Sequence, residues 1–275
     1  MKLSEFKRSI GLRWSILKTN IWFSFQNDIA YAGNNWAFLA STSFFTISML
    51  IFLNILYSNI KEVAGYSRPE ILLLFLMSQV NYYLIWAFSL RNWQNLIGDV
   101  NKGNLDMVLT KPLPSLFYLN TRNIGLLPLL REALPPTLMI ILSINWVELN
   151  INLVNLLIGG VIMVLGLWVL NIFTLLATLP VFWLGESDGV LDLSLQLSSG
   201  NGVLIPLEGY NKGVQILFST AIPILLTTAF STSAILNKTN PLLLLVSVII
   251  IAGVATIIRD KMWKLAIKNY TSASS

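Results

Sequence analysis

The chain has 275 residues, 55% hydrophobic and only 11% charged, with a net charge of +5 and a mean hydropathy of +0.69. Soluble domains carry roughly 25% charged residues, so this composition belongs to a protein embedded in a bilayer. The absence of Cys and His excludes a disulfide framework, a thiolate zinc site, a Cys or His nucleophile–base couple and a histidine ligand for haem.

In chain order, residues 1–35 come first. Leu3, Phe6, Ile10, Trp14, Leu17, Ile21 and Phe25 recur at spacings of three and four, while Lys7, Arg8, Arg13 and Lys18 fall largely elsewhere on the helical wheel. This pattern predicts an amphipathic helix lying in the membrane interface. It has two readings, a plain anchor or a connecting helix that feeds a partner's motion into the first span. The charges that interrupt the first thirty residues leave no apolar core for a signal peptide.

A spanning helix needs about 20 mostly apolar residues, and six segments of 36–275 meet that need: 36–58, 71–90, 124–146, 153–184, 214–236 and 241–258. The third contains Arg131, Glu132 and the Pro135-Pro136 pair, the fourth exceeds one straight crossing and carries Pro180, and the fifth carries Pro223. The expected fold is therefore an all-α integral membrane protein with six transmembrane helices. Outside the third segment, five Lys and Arg precede the first span, four lie in loop two, one in loop four and four after the last span; loop one has two, loop three none and loop five one. The positive-inside rule then puts both termini, loop two and loop four in the cytoplasm.

Loop two, about 93–114, mixes apolar Leu96, Val100, Leu105, Val108 and Leu109 with polar residues; Gly98 and Gly103 break the runs, and Pro112 and Pro114 stop them. One or two short helices at the membrane surface are expected. Gly98 and Gly103 have the spacing of a phosphate loop, but Asn104-Leu105 stands where Lys and Ser/Thr are required, so no ATP site is expected in this chain.

Loop four, 185–213, carries Glu186, Asp188, Asp192 and Glu208, in no metal-ligand spacing, and leucines at 191, 193, 195 and 197 with a period of two. It reads as a cytoplasmic segment that skirts the membrane or is partly helical. Arg131 and Glu132 have two readings: both at the interface if the third span starts near Pro135, or Arg131 paired across helices or facing a substrate path. Asn81, Tyr82, Tyr83, Asn171, Thr174, Thr227 and Thr228 are candidates for a lumen face, or equally for helix-packing hydrogen bonds. Gly159, Gly160 and Gly166 permit close helix approach.

The run Gly103-Asn104-Leu105-Asp106-Met107-Val108-Leu109-Thr110-Lys111-Pro112-Leu113, which leads through Phe117 and Tyr118 into the third span, resembles a segment of bacterial type-2 ABC transporter permeases. So do Pro180-Val181-Phe182-Trp183 at the end of the fourth span, the Pro223-bearing fifth span and the basic amphipathic N-terminus. The resemblance implies a six-helix half-channel in the bacterial plasma membrane. It pairs with a second permease copy or a paralogue and is driven by separate cytoplasmic ATPase subunits that bind ATP and Mg. This chain then binds no cofactor itself, and export is the expected direction. The coupling role falls on Gly98 to Lys111, with Asp99, Lys102, Gly103, Leu105, Asp106, Leu109 and Lys111 as contact residues. Asn81, Tyr82, Arg131, Asn171 and Thr227 are the candidate translocation path. The family often has a proline near the end of the fifth span, in a stretch that bends back into the membrane on the outer side; here no proline follows until Pro241.

Two other classes compete. An ion-coupled secondary transporter usually shows repeats and intramembrane carboxylates at its substrate site, and Glu132 is the sole candidate here. A membrane subunit that tethers a partner without transporting has the same sequence features.

Overall fold

A computed structural model describes residues 3–30, 32–185 and 205–270, together with 189 and 192. Among these residues there is no strand, only an isolated Val63–Tyr66 bridge in loop one. The leucines at 191, 193, 195 and 197 lie outside the described residues.

Helix α1 (Leu3–Ala30) is followed directly by α2 (Ala32–Asn59). Helix α3 (Arg68–Ile85) starts in a cap in which the Ser67 amide and hydroxyl both donate to Glu70 Oε2, at 2.8 and 3.1 Å. It runs through a π-helical turn, Trp86–Leu90, into α4 (Arg91–Asn101). Short α5 (Leu105–Leu109) and α6 (Ser115–Thr121) follow. Residues 122–125 form a break, then α7 (Leu126–Pro128), a second π-turn (Leu129–Ala133) and α8 (Leu134–Ser143). Helix α9 (Leu153–Thr178) stops just before Pro180, which has no N–H with which to continue the helical ladder, and α10 (Val181–Leu184) ends at Gly185 with φ +72°.

Five helical stretches are long and apolar enough to cross a membrane: Trp36–Asn59, Arg68–Asn101, Ser115–Ser143, Leu153–Leu184 and Pro241–Asn269. The third begins earlier than the expected 124. The segment expected as the fifth span, 214–236, does not cross. It forms α11 (Lys212–Thr220), a turn at 221–225, a π-turn (Leu226–Phe230) and α12 (Ser231–Ile235), and both of its ends sit beside loop one. Before it, Glu208 accepts from Tyr66 Oη at 2.8 Å; after it, Lys238 Nζ donates to the Gly65 carbonyl at 3.0 Å and pairs with Glu70 at 2.8 Å. The segment is a re-entrant hairpin. Its bend lies at Gly166, roughly 20 Å along α9 at 1.5 Å per residue, and nine-residue α11 spans only about 13 Å.

The expected cytoplasmic loop four is corrected accordingly. Residues 205–211 lie at the loop-one end, whereas Phe182 packs on Trp263 at the loop-two end, ring centroids 6.0 Å apart. Gly185 and Ile205 therefore lie at opposite ends of the molecule. Lys212 therefore moves to the loop-one side, and the excess of Lys and Arg on the loop-two side survives this change.

A turn deep in a bilayer is tolerated only where protein covers it and its freed backbone groups find partners. Pro223, Ile224, Leu225 and Leu226 are buried, the Ile222 amide donates to Leu217 O at 3.1 Å, and Thr227 and Thr228 hydroxyls donate to Ile224 O at 3.4 and 3.2 Å. Glycines on α9 let the hairpin in. A Cβ on Gly159 would overlap Ile235 Cγ1 and lie 2.9 Å from Ser231 O; one on Gly166 would lie 2.8 Å from Thr227 Cγ2. Gly160 has open space around its Cβ direction, so only two of the three glycines serve close approach. The last helix, α13 (Pro241–Asn269), is capped by Asn240, whose side chain accepts from Leu242 and Leu243 amides at 3.0 and 3.3 Å.

Candidate functional site

The loop-two segment is built on a second apolar core distinct from the one around the hairpin. Trp93, Leu96 and Ile97 of α4, Leu105 and Val108 of α5 and Leu119 of α6 bury against Leu175, Leu179, Phe182 and Trp263. Between α4 and α5 the chain reverses at Gly103, with φ +72°, a conformation that costs a glycine little and other residues more. Lys111 Nζ sits 3.8 Å from the Tyr118 ring centroid.

This packing divides the expected coupling residues by face. Leu105 is fully buried and anchors α5 from below. Asp99 forms an ion pair with Arg122. Asp106 is half-buried beside Tyr270, whose phenol is pushed up in pKa by burial first and by the Asp106 charge second. Lys102, Asn104, Met107, Leu109 and Thr110 face outward. Met107, 63% exposed, is a surface residue that the sequence reading did not single out, although its place two residues after buried Leu105 on a helical turn signals it.

Asn92 is a second residue that the sequence reading missed. It is fully buried, and its Nδ2 lies 2.9 Å from Asn120 O and 3.0 Å from Asn123 O, while its Oδ1 accepts from the Asn123 amide at 3.0 Å. Asn92 thereby satisfies the backbone groups freed by the break at 122–125. Helix α1 docks on the same break: Asn20 Nδ2 donates to Thr121 O at 3.1 Å, the Ile124 amide donates to Ser24 Oγ at 3.1 Å, and Arg13 lies 5.6 Å from the Phe117 ring. Leu17 and Ile21 are half-buried and Trp14 is 58% exposed; the Phe6 side chain lies outside the described residues.

The expected translocation residues are dispersed. Asn171 lines a cavity of about 520 Å³ under α1, together with Leu17 and Ile21, and its Nδ2 donates to Asn120 Oδ1 at 3.0 Å. Asn81, Tyr82, Arg131 and Thr227 do not line that cavity. Thr227 serves the hairpin turn, Asn81 is fully buried in α3, and Tyr82 stacks near Trp86, centroids 5.9 Å apart. Arg131 lies 3.6 Å from neighbouring Glu132, both in the π-turn within the third long helix. Among the described residues no group of acidic side chains is placed to hold a metal ion.

These features, a helical bundle with five membrane-capable helices and a separately packed short helix at its loop-two end, are those of a multi-pass membrane protein. A family model described as ABC-2 family transporter protein matches residues 44–274, and the chain belongs to the ABC-2 transporter family. No curated protein and no solved structure matches it.

Proposed function

We propose that this chain is the permease subunit of a bacterial ABC exporter, resident in the plasma membrane as a dimer and driven by cytoplasmic ATPase subunits that dock on α5. The supporting observation is the two-faced α5, with Leu105 and Val108 buried and Met107 and Leu109 outward. The chain's membership of a membrane-subunit family agrees with an ATPase supplied by another chain. In this reading both termini are cytoplasmic.

The mechanism follows from the packing. A partner that binds ATP and Mg supplies the driving chemistry. Its closure would move α5 as a rigid lever, because Leu105 and Val108 share one core with Leu175, Phe182 and Trp263. That core joins α5 to α9, α10 and α13, and α4 continues through the π-turn into α3. Closure of the partner then biases the bundle between two arrangements, a population shift that needs differential contact with the two states.

The test is purification from native membranes in mild detergent, with co-purifying chains identified and vanadate-sensitive ATP hydrolysis assayed. A stoichiometric P-loop ATPase that is lost from the Met107→Asp variant supports docking on α5. Recovery of the permease alone, without hydrolysis, would overturn the reading in favour of an ion-coupled transporter or a tethering subunit.

A further inference from the structure

Both π-turns border one cavity. It has a volume of about 350 Å³ and is lined by Phe38 of α2, by Tyr83, Trp86, Arg91 and Gln94 from the end of α3 through α4, and by Glu132 of the second π-turn. The first widened turn, Trp86–Leu90, is tied to the break that leads into the second, Leu129–Ala133, because the Gly125 amide donates to Ala87 O at 3.0 Å. Widened turns forfeit regular helical hydrogen bonding and recur at functional sites.

The wall chemistry is specific. Phe38 and Trp86 have ring centroids 6.3 Å apart, Tyr83 is buried, and Glu132 is a carboxylate at only 6% exposure. Glu132 also lies 3.6 Å from Arg131. Aromatic faces beside a carboxylate recognise an ammonium group. Arg91 and Gln94, both exposed, stand further along α4, at the end of the second long apolar stretch, and guanidinium is the fitting partner for a phosphate. An ammonium and a phosphate are thus matched a short distance apart, where the apolar helices meet the loop-two surface.

We infer that this cavity binds a zwitterionic phosphoammonium headgroup, the ammonium against Trp86, Phe38 and Glu132 and the phosphate at Arg91. The occupant is a phospholipid of that headgroup or the free phosphoammonium compound. The site belongs to one subunit and does not depend on ATPase docking.

The test is native mass spectrometry of the full permease released from maltoside and titrated separately with phosphatidylethanolamine, phosphatidylglycerol and free phosphoethanolamine. One phosphatidylethanolamine per chain is expected, bound about tenfold more tightly than phosphatidylglycerol. Glu132→Gln and Trp86→Leu should each lower that affinity about tenfold, and Arg91→Gln should lower it while sparing binding of ethanolamine alone. Phe38→Leu, a milder change, serves if Trp86→Leu fails to fold. Competition by free phosphoethanolamine identifies the soluble compound as an occupant; binding of the lipid alone identifies the bilayer as its source. Equal retention of the two lipids, or affinities unchanged in Glu132→Gln and Phe38→Leu, would overturn the inference.

Discussion

Glu208 shows how much one side chain can hold. Its carboxylate accepts from Tyr66 Oη at 2.8 Å, Ser233 Oγ at 2.5 Å and Thr239 Oγ1 at 2.9 Å, joining loop one, the entry to the hairpin and its exit. Hydrogen bonds to a charged group contribute about 1.5–3 kcal/mol, so Glu208→Gln should cost about 2–3 kcal/mol, read as a lower unfolding temperature in detergent. Burial first, and then Glu208, holds the Tyr66 phenol protonated beyond its ordinary range. An unfolded tyrosine loses its proton near pH 10. Above about that pH the unfolded chain binds fewer protons than the folded one, and stability falls as pH rises. Tyr66→Phe should flatten this alkaline slope while losing about 1–2 kcal/mol at neutral pH, measured by thermal unfolding at about pH 8 and about pH 11. The sequence carried no sign of this cluster, because residues 66, 208, 233 and 239 meet only through the fold.

At the scale of elements, α5 and the hairpin behave differently. The loop-two helices were legible in the sequence: glycine and proline punctuation marked them, and the resemblance assigned the coupling role to them. What the motif concealed was the face. Leu105 reads as a contact residue in a string of letters, yet on the helix it points into the core with Val108, leaving Met107 outside. Gly103→Pro and Asp106→Arg are therefore expected to reduce ATPase recovery while membrane insertion persists, the first by strain at φ +72° and the second by placing a cation under α5. Membrane fractionation with ATPase co-purification checks both, and normal recovery in both variants counts against α5. The hairpin depends on small residues, since lipid supplies no hydrophobic drive between helices. Gly159→Val should cost about 1–3 kcal/mol by overpacking, measured as lost thermal stability, whereas Gly160→Val should cost less, there being open space around it.

At the scale of the molecule, topology is the testable quantity. The absence of cysteine makes single-cysteine labelling direct: Asn211→Cys, Lys61→Cys and Lys238→Cys should react with an impermeant maleimide from one side, and Lys102→Cys and Lys268→Cys from the other. Labelling of position 211 from the side of position 102 would overturn the hairpin. Composition, apolar length and charge bias by themselves determined a membrane protein of helices and placed five of its six expected spans, because these properties are local and additive along the chain. Only the tertiary structure decided that 214–236 returns to the side it entered, since an apolar stretch of one length can cross or fold back, and the difference lies in Glu208, Gly159 and Gly166 finding distant partners. Likewise, only packing sorted Thr227 and Asn171 into turn and helix contacts, because a polar residue in a span looks the same in sequence whether it faces a lumen or a carbonyl.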